Sequence, residues 1–191
     1  MNMLLATTNP GKLKLFGHAF ADRGFEVQAQ QTAGVREDAP TPEGNALLKA
    51  RAVWQPGWFV FADDAGLEVD ALGGKPGVQT RRWNGRFDDA VDDHRWLQYL
   101  LRRLEGVPLE QRTARFTSGW ALLGPGGEEG VRRLSTPFVI ALEPVRAMKA
   151  GFPLSAVAVH RQPHDVTGQV QREMAAWNFF TGLCELYSEG N

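Results

Sequence analysis

The chain has 191 residues, 43% of them hydrophobic, and a formal net charge of -1. That length suits one domain with room for an added lobe, and it supplies enough apolar surface for a sizeable core. The near-zero charge excludes the diffuse basic field that nucleic acid or an anionic membrane attracts, so an anionic ligand must be met by local cations. The single cysteine, Cys184, excludes an intrachain disulfide; it lies in the apolar stretch F-F-T-G-L-C-E-L and reads as buried filler. The opening M-N-M-L-L-A-T-T-N lacks the basic segment and long apolar core of a leader. No apolar run approaches the ~20 residues of a membrane helix. The expectation is a cytoplasmic protein with no membrane or nucleic-acid partner.

Residues 2–7 are a short apolar run ending in Thr7-Thr8-Asn9-Pro10-Gly11, which predicts a buried strand entering a turn. Leu13, Phe16, Ala19 and Phe20 follow at helical spacing over 12–22, and Gly24 closes that helix. Residues 25–29 alternate as a second strand. Thr41-Pro42-Glu43 carries the signals of a helix start: a capping threonine, a proline at the first position and an acid in the first turn. Ala46, Leu47, Ala50, Val53 and Trp54 form its apolar face. The run W-F-V-F-A at 58–62 predicts a central strand that ends at Asp63-Asp64, and L-G-G-K-P-G-V at 72–78 predicts a glycine-rich loop.

Residues 88–104 predict a strongly amphipathic helix with Asp88, Asp89, Asp92 and Asp93 as its acidic start and Trp96, Leu97, Leu100, Leu101 and Leu104 inward. Residues 113–123 and 131–142 alternate around G-P-G-G-E-E-G, a long hairpin. A strand at 154–159, a loop at 160–168 and one last helix from about Gln169 to Tyr187 complete the chain. His160 and His164 are four apart, but Pro163 between them argues against a helix and hence against a zinc site. The predicted fold class is α/β: an elongated mixed β-sheet with flanking helices and a β-rich second lobe, in a single domain over residues 1–191.

Three motifs carry chemistry. A-T-T-N-P-G-K at 6–12 delivers a strand through a tight turn to a helix N-terminus, where amide donors and the helix dipole attract phosphate. Thr8 and Asn9 add hydrogen-bonding groups and Lys12 a mobile charge. F-A-D-D-A-G-L-E-V-D at 61–70 puts two carboxylates next to a buried strand; Mg²⁺ favours carboxylates plus substrate phosphates, and a neighbouring Asp can activate water. L-G-G-K-P-G-V-Q-T-R-R-W at 72–83 combines glycines, which allow close backbone approach, with Lys75, Arg81 and Arg82. Each motif alone has a plain alternative: a capped helix, acids capping a turn, a flexible loop.

Together they resemble the Ham1-like family of inosine/xanthosine triphosphatases. The family's opening, Ser or Thr followed by x-N-x-x-K, is matched by Thr7 to Lys12; its E-N-A-L-x-K-A helix by Asn45 to Ala50; its A-D-D-S-G-L-x-V-D-x-L-G-G-x-P-G run by Ala62 to Gly77 with Ala65 as the difference; and its S-A-R-Y by Thr80-Arg81-Arg82-Trp83. The resemblance is close over residues 4–105 and thin thereafter. It implies hydrolysis of a nucleoside triphosphate, an aberrant purine nucleotide such as ITP, XTP or dITP, to a monophosphate and pyrophosphate, with Mg²⁺, by a homodimer. It implies Asp64 as general base and Asp63 beside it at the metal, with Asn9 and Lys12 on the triphosphate and Lys49 and Arg82 as further phosphate or structural partners.

Three departures stand out. The family's Glu before the Asn of its second motif, a metal ligand, is Gly44 here, and the nearest acid, Glu43, could replace it only if the helix start were shifted or frayed, since one residue is a turn of about 100°. The family's G-F-G-Y-D-P is Ala150-Gly151-Phe152-Pro153-Leu154-Ser155, leaving Phe152 as a candidate stacking ring. The family's S-H-R-G has Ala176-Trp177-Asn178 as its counterpart, so Trp177 and Asn178 are either base-contacting residues or, for Trp177, core. These losses keep two alternatives open: a catalytically weak nucleotide-binding or regulatory protein, and a pyrophosphatase for a different nucleotide.

Overall fold

The computed structural model of the chain describes residues 1–32, 34–88, 90–160 and 166–188. Seven strands form one mixed sheet in the order β2-β1-β3-β5-β6-β7, with β4 pairing β3. The strands are β1 (Asn2–Ala6), β2 (Glu26–Gln30), β3 (Phe59–Val69), β4 (Pro76–Gly77), β5 (Thr113–Leu123), β6 (Glu129–Ile140) and β7 (Ala158–Val159). The helices are α1 (Pro10–Ala21), α2 (Pro42–Val53), α3 (Asp93–Arg103), α4 (Val166–Ala175) and α5 (Asn178–Ser188). β1 runs parallel to both β2 and β3, as expected of strands joined by helical crossovers. Among the described residues no helix is long and apolar enough to cross a membrane. The chain divides into two compact units, and β3, β5 and β6 each contribute residues to both.

The first unit holds β1, β2, α1, α2, α4, α5 and the halves of β3, β5 and β6 nearest them. Its core follows from strand alternation. Leu4, Ala6, Val60 and Ala62 turn to one face, where Ala46 and Ala50 of α2 cover them. Phe61 turns to the other, where Phe16 and Phe20 of α1 meet it and Phe16 and Phe61 both reach Trp120 of β5. Burying each such ring is worth about 1.5–3 kcal/mol, so this two-sided packing holds β3 in place.

The second unit holds Ala65 to Thr117 and the chain from Leu134 through β7. Trp96, Leu97, Leu100 and Leu104 bury against Leu67, Val69, Phe138 and Ile140. The Trp96 indole donates to Thr80 O at 3.0 Å. Arg112 is 5% exposed, and its guanidinium donates to the carbonyls of Leu104 at 2.8 Å and Val107 at 2.9 Å, satisfying the end of α3. Glu68 and Asp70, which alternation alone would send toward solvent, are both held by Arg115.

Four boundaries differ from the sequence-based expectation. β3 does not end at Asp63-Asp64; it runs on to Val69, so the aspartates lie within the strand. α3 begins at Asp93 rather than residue 88: Asp92 caps it by accepting from Arg95 N, while Asp88 accepts from Ala90 N before the helix starts, and Asp89 lies outside the described residues. The expected strand at 154–159 is a short 3-10 turn, Pro153–Ala156, followed by the two residues of β7, because proline at the first position favours a helical turn. The expected last helix is two. It breaks at Ala176-Trp177, where Trp177 turns into the core and the Arg132 guanidinium takes the Ala176 carbonyl at 3.2 Å.

Candidate functional site

β1 stops at Ala6, and Leu5 paired with Phe61 is its last register partner on β3. β3 therefore outruns β1, and beyond Ala62 the next residues along it are Asp63 and Asp64. Consecutive strand residues point to opposite faces. Asp63 faces α1 and meets Lys12 Nζ at 2.9 Å through Oδ2. Asp64 faces α2 and accepts from Asn45 Nδ2 at 3.1 Å and from Lys49 Nζ at 3.0 Å. Asp63 is 6% exposed and Asp64 9%, so each charge needs the partner it has. The sequence motifs over 6–12, 45–50 and 61–64 thus meet at one place in the first unit.

The helix spacing explains the α2 side. Asn45 and Lys49 are four apart and share a face, so one carboxylate receives both. Burial alone would lower the Lys49 pKa, but the charge and hydrogen bond of Asp64, followed by the charges of Glu37 and Asp63, outweigh it and hold the pKa above its ordinary value. Lys49 is therefore an ammonium ion at neutral pH, a cation rather than a base.

On the α1 side the expected bare amides are covered. Asn9 caps the helix, its Oδ1 accepting from Gly11 N at 2.9 Å and Lys12 N at 3.2 Å. Thr7 Oγ1 accepts from Asn9 N at 3.2 Å, which sets the turn. Thr8 is exposed.

Sequence reasoning misses Glu37 and the segment that carries it. Glu37 reaches Lys49 Nζ at 3.3 Å. Two residues on, Ala39 N donates to Asn45 Oδ1 at 2.9 Å, so Asn45 bridges this segment to Asp64. A Cβ placed on Gly44 would lie 2.7 Å from Ala39 Cβ, so the segment closes over the position where the family pattern has glutamate. The helix start is not shifted: Thr41 caps it and Pro42 is its first residue. Glu43 accordingly turns to Arg133, at 3.4 Å, and the acid that joins Lys49 is Glu37 instead. No periodicity marks Glu37, which lies in a charged loop; its distance from Lys49 in sequence hides the pairing. Replacing Asn45 by Ala should cost about 1–3 kcal/mol of stability, because it strips a donor from buried Asp64 and an acceptor from Ala39 N; a thermal melt checks it.

The remaining candidates fall elsewhere. Trp177 is 6% exposed, with its ring centroid 6.2 Å from that of Trp120, so it belongs to the core, whereas Asn178 beside it is exposed. Arg82 and Phe152 belong to the second unit; Arg82 is exposed and precedes a left-handed turn at Trp83 and Asn84, and Phe152 is 65% exposed. His160 lies in the second unit against Phe138, while Pro163 and His164 lie outside the described residues. Cys184 is half-buried rather than buried, and desolvation pushes its thiol up to about 11.

The profile of the Ham1 family matches residues 3–152. The chain is 41% identical over 150 residues to a dITP/XTP pyrophosphatase of Geobacillus kaustophilus, covering 74% of this chain and 71% of that one. It is 40% identical over 130 residues to a dITP/XTP pyrophosphatase of Bacillus subtilis, covering 65% of this chain and 64% of the relative. A solved structure, a nucleoside-triphosphatase / dITP/XTP pyrophosphatase from Mycobacterium abscessus, superposes with a TM-score of 0.68 at 33% identity over 97% of each chain.

The chain belongs to the Ham1 family. The family match stops before α4, so Trp177 and Asn178 fall outside it, while every residue of the Asp63-Asp64 cluster falls inside.

The family resemblance implies a divalent cation, and the residues present fit one. Asp63 Oδ1 is buried and has no hydrogen-bond partner. Three carboxylates, Asp63, Asp64 and Glu37, face two ammonium groups, Lys12 and Lys49, which leaves the cluster short of positive charge. All the acceptors are hard oxygens, which suit Mg²⁺. Among the described residues no three His, Cys, Asp or Glu side chains form a ready cage, and Mg²⁺ rarely uses one: it takes one or two carboxylates and completes its shell with water and substrate phosphate.

Proposed function

We propose that the protein is a Mg²⁺-dependent pyrophosphatase that converts a nucleoside triphosphate to the monophosphate and pyrophosphate, acting on deaminated purine nucleotides of the dITP/XTP type, the substrates for which its relatives are named. The observation that carries this reading is the buried Asp63-Asp64 pair, each member tied to a lysine from a different helix beside an asparagine-capped helix N-terminus.

Asp64 is the base in this scheme. Asn45 and Lys49 hold it oriented, and a carboxylate with about four lone-pair sites keeps room to accept a proton from water. That water attacks the α-phosphorus, the bond to the α–β bridging oxygen breaks, and pyrophosphate leaves with the electron pair. Lys12 and the first amides of α1 take phosphate oxygens once Asn9 turns aside, and Thr8 adds a hydroxyl. Asp63, with its unpartnered Oδ1, would hold the cation, which would supply positive charge toward the phosphate. Of the remaining residues that the resemblance assigns to substrate, Asn178 belongs to the same unit as this cluster, and Arg82 and Phe152 belong to the other. The family resemblance also supports a homodimeric, cytoplasmic enzyme.

The test is turnover of dITP, XTP, dUTP and the four standard deoxynucleoside triphosphates with Mg²⁺, read as pyrophosphate. dITP and XTP should exceed dATP by at least about tenfold in kcat/KM, since a site that hydrogen-bonds a 6-oxo edge rejects what lacks it, while dGTP, which shares the 6-oxo group, reads whether the 2-amino group is excluded. A second reading, a pyrophosphatase of broad base choice, is favoured by the burial of Trp177 and by the neutral Asn178 beside it. Equal turnover of all seven would establish that reading, and binding without turnover would reduce the protein to a nucleotide binder.

A further inference from the structure

The two lysines of the cluster are held very differently. Lys49 is 7% exposed and fixed by two carboxylates, Asp64 at 3.0 Å and Glu37 at 3.3 Å. Lys12 keeps 27% of its side chain exposed, sits on the first turn of α1, and has Asp63 as its single ion-pair partner among the described residues. Asp63 is the reverse of Lys12: nearly inaccessible, with one oxygen on the lysine and the other on nothing. A lysine side chain has four rotatable methylene bonds and a compact charge that exchanges partners readily. A half-satisfied buried carboxylate gains most from a cation of higher charge.

Resting on the pyrophosphatase reading above, we propose that Lys12 is the internal counter-ion of Asp63 and is displaced by the divalent cation, so that the lysine freed by metal binding becomes the one that grips the polyphosphate. Lysine and metal then compete for the charge of the Asp63 carboxylate, whereas metal and polyphosphate reinforce each other, because each relieves a tie that restrains the other. Asn9 acts in parallel: its Oδ1 sits on the Gly11 and Lys12 amides and thereby occupies the place a phosphate oxygen needs. Lys12 and Asn9 thus hold the positions that metal and phosphate would take. The coupling is reciprocal, as thermodynamic linkage requires.

The experiment measures binding, without turnover. Mn²⁺ is titrated into the full-length protein with no nucleotide present and free ion is read by electron paramagnetic resonance. Lys12→Met, which keeps the stem and removes the charge, should bind Mn²⁺ about tenfold more tightly than the unmodified protein. Lys14→Met is the control: Lys14 is exposed two residues away on the same helix, so its loss changes net charge equally and should shift affinity less than twofold. Lys12→Arg, which keeps the charge, should stay near the starting affinity. The complementary arm omits metal: Asp63→Asn, which releases Lys12, should bind inorganic pyrophosphate several-fold more tightly in chelator-treated buffer by calorimetry. If Lys12→Met binds Mn²⁺ no better than Lys14→Met, or if Asp63→Asn leaves metal-free pyrophosphate binding unchanged, the counter-ion exchange is overturned while the pyrophosphatase reading stands. If neither the unmodified protein nor Lys12→Met binds Mn²⁺, the counter-ion exchange is overturned, and only a lack of Mg²⁺-dependent turnover overturns the pyrophosphatase reading. Circular dichroism of each variant confirms that the comparison is between folded proteins.

Discussion

Asp64→Asn should leave a folded protein whose pyrophosphate release from its preferred triphosphate falls at least about a thousandfold in kcat, with KM changed by less than about threefold. The asymmetry follows from what asparagine keeps and loses. Its amide oxygen can still accept from Asn45 Nδ2 or Lys49 Nζ, so the α2 side stays assembled. What disappears is the negative charge that takes the proton from water, and loss of a positioned base costs about 10²–10⁴ in rate. Lys49 retains Glu37 as a counter-charge, which limits the stability loss to about 1–3 kcal/mol. Lys49→Met should behave differently: with the ammonium gone, buried Asp64 loses its counter-charge, so stability falls further than in Asp64→Asn. If Asp64→Asn kept more than about a tenth of its turnover, the base would have to be another group, and Asp63 with its bare oxygen would be the first to examine.

Much of this cluster can be read from the sequence, for a definite reason. Asn9, Lys12, Asn45, Lys49, Asp63 and Asp64 each sit in a short motif whose local element is strongly specified, and local specification places side chains predictably: an asparagine before proline caps a helix, and residues four apart share a face. Glu37 escapes because no local rule governs it. It reaches Lys49 only because Ala39 seals over Gly44, a loop contact that sequence spacing does not encode. Glu43 is misplaced for the same reason, since a glycine at 44 reads as a loss and is in fact the space that lets Ala39 in. The end of β3 is misjudged because two adjacent charges look like the end of a buried strand; each charge is instead neutralised by a lysine, so the strand continues. The break at Trp177 is invisible because the apolar spacing of α4 and α5 reads continuously, and it takes Trp120 and Arg132, far away in sequence, to turn the tryptophan inward and satisfy the carbonyl.

Gly119→Ala should be the most disruptive single-methyl change in the first unit, although it touches no charged residue. A Cβ on Gly119 would fall 1.9 Å from Glu43 N and 2.2 Å from Pro42 C. Both are backbone atoms at the start of α2, which cannot rotate aside as a side chain could. Adding a methylene to a packed interior costs about 1–3 kcal/mol when side chains can adjust. Here the helix itself must move, so the loss should be about 3 kcal/mol or more, which for a chain of this size lowers Tm by roughly 6–12 °C. The same shift carries Asn45 and Lys49 away from Asp64, and a misplacement of about 1 Å can cost about a hundredfold in rate. Gly182→Ala provides the opposite sign. Gly182 is exposed inside α5, and a methyl added there would meet nothing within 4 Å, so the gain in helix propensity should raise stability by about 0.5–1 kcal/mol. Two identical substitutions that move Tm in opposite directions, with only Gly119→Ala losing activity, would show that α2 is held in register by backbone approach to β5. A Gly119→Ala protein melting within about 2 °C of the original would mean that α2 can retreat freely, and the tight placement of Asn45 and Lys49 on Asp64 would then need another cause.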